Sequence, residues 1–201
     1  IGPEDHWLPP DHFQEDPLGV VAHRTSPTNI GMLMLSTLSA YDLGYIGVQE
    51  LQYRTRYTFD TLDDLEKYRG HLLNWYDTQT LQTLSPRYVS TVDSGNFAAC
   101  LIGLRQTLLA IPDHSLHPAT LLIGISDTLD VFCELVQQLD LKQVDKLVGH
   151  LSAYCENFRQ EVAQGQGSDS RIMALINDAG MRLTELMNDL IGQIQLSDKA
   201  I

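Results

Sequence analysis

Asp77 and Asp93 share one stretch, Gly70 to Asn96, with the rings of Trp75, Tyr76 and Tyr88 and the amides of Asn74 and Asn96. Two carboxylates about 5–10 Å apart are what glycoside chemistry uses across a scissile bond. Aromatic faces pack on the C–H face of a sugar ring, while amides and carboxylates take its hydroxyls. The same residue types also admit a plainer account. Asp residues commonly make turns in loops, and Asp93 or Ser94 can cap a helix. The stretch would then be a long ordered loop packed by its own rings. Both accounts stand on the residues alone.

A second polar run, Arg24 to Asn29, precedes another apolar segment. Ser26 is a good N-cap and Pro27 a good first helical residue. Each run therefore leads into a helix whose first N–H groups are unpaired and whose dipole end is positive. If the two helices are parallel, both runs lie on one rim, which is the natural pocket. His71 falls within the first stretch and His23 directly precedes the second, and either could hydrogen-bond a sugar. His114 and His117 have a possible metal spacing but no third ligand, and read as a surface loop, so no metal site is expected. With no Gly-rich phosphate loop or nucleophile elbow, no cofactor is expected.

The elements that must position these residues are helical. Residues 1–27 carry Pro3, Pro9, Pro10, Pro17 and Pro27, which block a helix; with Trp7, Leu8 and Phe13 to bury, they read as an extended arm packed on the body. The first helix runs from Pro27 to about Leu43 and stops at Gly44. Ile30, Met32, Leu33, Met34, Leu35 and Leu38 go nearly all round it, as in a buried helix. The second, about Val48 to Tyr68, has one stripe: Val48, Leu51, Thr55, Phe59, Leu62 and Leu65. The third, about Gly95 to Ile111, is again apolar nearly all round. Helices four (about Pro118 to Leu139), five (about Lys142 to Ala163) and six (about Asp169 to Ile194) are amphipathic. Tyr88 to Val92 is the single strand candidate. Buried, amphipathic, then buried is how concentric helical barrels read. The expected fold is all-α: a partial (α/α)6 toroid, about half its helices, with an amphipathic bundle extension. The expected domains are an arm at 1–27, barrel wall at 28–111 and a helical extension at 112–201.

The bulk numbers narrow the partners. The 201 residues carry a net charge of −13. That field repels phosphate backbones and anionic lipid surfaces, so nucleic acid is not an expected partner. No apolar run approaches the roughly 20 residues of a membrane span. Cys100, Cys133 and Cys155 are far apart and on apolar faces, which reads as reduced buried thiols. The chain begins at Ile1 without Met and reads as a piece of a longer protein.

Several blocks together resemble one family. Trp7-Leu-Pro-Pro-Asp-His-Phe-Gln-Glu-Asp-Pro17, Val21 to Gly31, Arg69-Gly-His71, Asn74-Trp-Tyr-Asp-Thr78 and Pro86 to Asn96 resemble, in order, the central region of bacterial cyclic β-1,2-glucan synthases. The likeness covers about residues 4–110; residues 112–201 match only in being helical. His12 stands where that family more often has Asn, and Leu72 where an aromatic is common.

The resemblance implies a soluble segment on the cytoplasmic side of the bacterial inner membrane, in a membrane-embedded parent. There a glycosyltransferase module builds β-1,2-glucan from UDP-glucose, and a central glucoamylase-like domain closes the ring by transglycosylation. This chain looks like the N-terminal part of that domain, with the acid/base glutamates expected beyond Ile201. On this reading Arg24, Asn29, Asn74, Trp75, Tyr76, Asp77, Tyr88, Asp93 and Asn96 hold glucose units. Partners would be β-1,2-glucan and other modules of the synthase, with self-association through exposed apolar faces. The alternatives are a non-catalytic helical scaffold, and a stand-alone β-glucan hydrolase using Asp77 and Asp93.

Overall fold

The structure is a computed structural model that describes residues 1–113 and 116–138, with scattered helical positions between 149 and 188. The chain divides into two units, Ile1–Tyr41 with Ile46–Ser115, and Asp42–Tyr45 with Leu116–Ile201. The expected fifth and sixth helices fall largely outside the described residues, as do the side chains of Cys133 and Cys155.

In the first unit, helices α1 (Pro27–Asp42), α2 (Val48–Asp64) and α3 (Thr91–Ala110) are joined by short pairings. Each strand has two residues: β1 (Phe13–Gln14) pairs with β2 (Val20–Val21), β3 (Arg24–Thr25) with β6 (Tyr76–Asp77), and β4 (Lys67–Tyr68) with β5 (His71–Leu72). All three pairs are antiparallel. Tyr88 to Val92 is not a strand; it contains the start of α3.

Helix α1 begins as its residues predict. The Asn29 N–H donates to Ser26 Oγ at 3.3 Å and Pro27 is the first helical residue. Gly44 follows its end at φ +81°, a backbone that glycine adopts without strain. Helix α3 starts a turn earlier than the expected Gly95. Its N-cap is Ser90, whose hydroxyl accepts from the Asp93 N–H at 3.2 Å. Asp93 is thus in the first turn and is not the cap. Helix α2 ends before the expected Tyr68: Leu65 turns extended, with ψ 138°. Lys67–Tyr68 then folds back on His71–Leu72 through Arg69 and Gly70, both at positive φ. Two positive-φ residues are what a tight hairpin turn needs. The Lys67 ammonium donates to the carbonyls of Leu62 and Asp63 at 2.6 and 3.1 Å, where cations suit a helix C-terminus.

Helices α1 and α3 run parallel. Thr28 bonds Asp93 and Asn96, a Cβ on Gly31 would meet Cys100, and one on Gly103 would meet Leu35. Both numberings rise together along the contact. Neither helix is buried all round, contrary to expectation. Met32 of α1 and Val92, Ile102 and Leu109 of α3 are exposed, because the close backbone contact covers one side of each helix. The α2 stripe also differs. Leu51, Leu62 and Leu65 are buried, but Val48 and Phe59 are exposed and Thr58 and Thr61 are buried in their place. The two threonine hydroxyls donate to the carbonyls of Trp7 and His6, so the arm selects the buried face.

The arm packs as expected at Leu8, which is fully buried, and at Trp7, which lies against Tyr53 and Tyr57. Phe13 is exposed, since β1 and β2 form a hairpin with no buried face. In the second unit, α4 (Pro118–Gln138) buries Leu122 and Leu129 of its expected stripe. There the backbones of Gly44 and Gly124 meet so closely that a Cβ on Gly124 would lie 2.3 Å from the Gly44 carbonyl oxygen. Among the described residues no helix is long and apolar enough to cross a membrane.

Candidate functional site

The β3–β6 pair builds the site. Its register sets Arg24 opposite Asp77 and Thr25 opposite Tyr76. Successive side chains of a strand point to opposite faces. Thr25 and Tyr76 point inward and are fully buried; Arg24 and Asp77 point outward. Tyr76 therefore cannot hold a sugar. Its hydroxyl donates to the Glu66 carbonyl at 2.6 Å and accepts from the Leu73 N–H at 2.7 Å, bracing the loop from within.

Outside, the remaining polar groups form one connected cluster. The Arg24 guanidinium lies over the half-buried Trp75 ring, 5.0 Å from its centroid. Its Nε and Nη2 donate to Asp11 Oδ2 at 3.1 and 2.8 Å, while Asn29 Nδ2 donates to Asp11 Oδ1 at 3.3 Å. Asn74 is buried beneath Trp75 and Tyr88. In the amide orientation its neighbours require, it donates to Asp93 Oδ2 at 3.0 Å and accepts from Tyr88 OH at 2.8 Å and from Trp75 Nε1. Asp93 Oδ1 accepts from Thr28 at 2.6 Å, and Thr28 accepts from Asn96 Nδ2 at 3.2 Å.

Seven of the predicted residues thus meet at the paired N-termini of α1 and α3: Arg24, Asn29, Asn74, Trp75, Tyr88, Asp93 and Asn96. Asp77 shares the outward face, but its Oδ1 accepts the N–H groups of Gln79 and Thr80 at 2.9 and 2.8 Å, an Asx turn. Asp11 and Thr28 were not predicted, although they lie inside the family-like blocks. What could have found them is charge pairing for Asp11 with Arg24 and the N-terminal helical position of Thr28.

The electrostatics bear on catalysis. Hydrogen bonds from the backbone N–H of Thr80 lead in holding the Asp77 carboxyl below its ordinary range. Burial pushes Asp93 up, but hydrogen bonds from Ser90 and Thr28 outweigh it and the net shift is downward. Both carboxylates are therefore held toward the ionised form, whereas a general acid is favoured by a raised value. Asp11 is lowered likewise, burial opposing and Arg24, His12 and Asn29 prevailing. His71 is exposed in β5. His23 belongs to a different cluster, its Nδ1 donating to Asp5 Oδ1 at 2.8 Å. His117 is exposed and its Nδ1 accepts the Ala119 N–H at 3.2 Å; His114 lies outside the described residues. Among the described residues no three His, Cys, Asp or Glu side chains are grouped to hold a metal ion.

No protein-family model matches the chain. A stretch of 137 residues is 46% identical to the cyclic β-(1,2)-glucan synthase NdvB of Rhizobium meliloti (strain 1021). The chain resembles a fragment of a cyclic β-(1,2)-glucan synthase. The match spans 68% of this chain and 5% of the length of that synthase. The family resemblance read from the motif blocks therefore has a specific counterpart among characterised proteins.

Proposed function

We propose that the chain is part of the central, glucan-processing domain of a cyclic β-1,2-glucan synthase and that the rim cluster holds glucose units of β-1,2-glucan during ring closure. The observation that carries this is the Arg24–Trp75–Asn74–Asp93 network at the two parallel helix N-termini, in a chain similar to a glucan synthase. A half-buried ring, an exposed guanidinium and ionised carboxylates supply a stacking face, donors and acceptors for a neutral, hydroxyl-rich ligand. Half of an (α/α)6 toroid is the architecture that fits two parallel inner helices. The segment lies on the cytoplasmic side of the parent's membrane on this reading. Its role is to position the glucan; the groups that exchange glycosidic bonds belong to other parts of the synthase. A hydrolase built on Asp77 and Asp93 is disfavoured, because both carboxylates are engaged by hydrogen bonds within the chain and held toward the ionised form.

Adding linear β-1,2-glucan to the full chain should shift tryptophan fluorescence, and Trp75→Ala should weaken that response. A folded chain that gives no response overturns the proposal. The exposed Met32, Ile102 and Leu109 favour a second role as a scaffold joining modules or copies. Light scattering should then find a defined oligomer that glucan leaves unchanged.

A further inference from the structure

Behind the Tyr88 ring lies a cleft of about 330 Å³, lined by Glu66, Lys67, Tyr68, Leu73, Arg87 and Tyr88, with Val89 completing the wall. Its volume is at the low end of the roughly 300–1,000 Å³ of small-molecule sites. Two of its rings are open to solvent: Tyr68 is 57% exposed and Tyr88 45%. Leu73 beneath them is buried. The charged side chains of the cleft are already engaged within the chain. Arg87 pairs with Glu66, which also accepts from Thr83, and the Lys67 ammonium is held by carbonyls at the end of α2. An anion would have to displace bonds that Arg87 and Lys67 already make. A neutral polyol would find what it needs: ring faces for its C–H surface, and a guanidinium and a carboxylate side by side for adjacent hydroxyls.

Tyr88 belongs to both places. Its ring lines the cleft, its hydroxyl donates to the Asn74 amide, and its carbonyl accepts the Asn74 N–H at 2.9 Å. Tyr88 thus joins the cleft to the rim cluster, and Trp75 is bonded to the same Asn74 amide. We propose that the Tyr68–Tyr88 cleft is a second glycosyl subsite, which takes a neutral glucose unit of the same glucan at a distance from the rim cluster. This rests on the rim cluster being a glucan site.

The test is binding of β-1,2-linked glucose oligomers of graded length to the full chain by calorimetry, with wild type, Tyr68→Ala, Arg87→Gln and Trp75→Ala. Tyr68 is on an exposed two-residue hairpin, so its removal leaves the core untouched. Tyr68→Ala and Arg87→Gln should each weaken long oligomers by about tenfold and leave the disaccharide unchanged, whereas Trp75→Ala should weaken every length. Equal wild-type and Tyr68→Ala affinities at all lengths, with Trp75→Ala still impaired, overturn the second subsite and leave the first standing. Binding by no variant at any length overturns both. Competition of inorganic phosphate with the long oligomers alone would overturn the assignment of a neutral ligand to the cleft.

Discussion

Two polar clusters flank the β3–β6 pair in sequence, and each is built around a carboxylate that accepts from a threonine hydroxyl. In the arm cluster, Asp5 Oδ1 accepts from Thr78 at 2.6 Å and meets His23 Nδ1 at 2.8 Å, while His6 Nδ1 bonds the Thr78 carbonyl at 2.9 Å. Asp5 and Thr78 are buried and their partners are all within the chain. In the rim cluster, Arg24, Tyr88 and Asn96 are exposed and keep hydrogen-bonding capacity toward solvent. The difference teaches that residue type does not separate glue from site. What separates them is whether the polar groups are used up. A satisfied network with a buried centre, such as Asp5 with Thr78, resists change, and its loss leaves a buried group unpaired. An open network can exchange its waters for ligand hydroxyls.

The largest effect that would sharpen this contrast is Asp5→Ala. It orphans the buried Thr78 hydroxyl and should cost about 1–3 kcal/mol in urea unfolding, with the folded fraction keeping its glucan affinity. A fully stable variant would break the contrast from the arm side. Trp75→Ala should do the reverse, weakening glucan about tenfold, near 1.4 kcal/mol, in titrations where circular dichroism shows the fold retained. Ser90→Ala removes the cap of α3 and should cost about 1 kcal/mol in thermal unfolding, lowering glucan affinity through the displaced Asp93. Asp77→Asn keeps its turn and should change neither stability nor binding by more than about 0.5 kcal/mol, checked by the same two titrations.

Acid should act on both clusters together. Asp5, Asp11, Asp77 and Asp93 all lie below the ordinary carboxylate value of 3.8. At Asp5 burial is the largest influence and opposes the shift, but the bonds from Thr78 and His23 prevail. The unfolded chain therefore takes up protons first as pH falls. The stability these carboxylates contribute is complete above about pH 4 and drains as pH drops through their folded values. Chemical unfolding across pH 2–6 checks this; an unchanged midpoint below pH 4 contradicts it.

The helices were legible because their signals are local. Ser26-Pro27 starts α1, Gly44 follows its end, and the spacing in α4 marks Leu122 and Leu129 for burial. The α3 start was misplaced because two neighbouring stretches carry cap residues; Ser90 with Asp93 three residues on was the better signature. The paired strands were not legible, since two residues are too few to show a period. That hid the alternation which sends Tyr76 inward and Asp77 outward. Thr58 and Thr61 lie outside the stripe read from the sequence and are buried where the arm supplies carbonyls to their hydroxyls, a partner remote in sequence. Most rim residues were found because they lie near two helix starts, and helices that run parallel bring their starts together.

That parallel contact has one tight point. A Cβ on Gly31 would lie 3.0 Å from both Cβ and Sγ of Cys100. Gly31 is about one turn below Thr28, which ties α1 to Asp93 and Asn96. The spacing of the two rim loops is thus gauged by a missing methyl group that no ligand ever touches. Shimming α1 away from α3 at this position would widen the mouth of the site while every residue in it stayed the same.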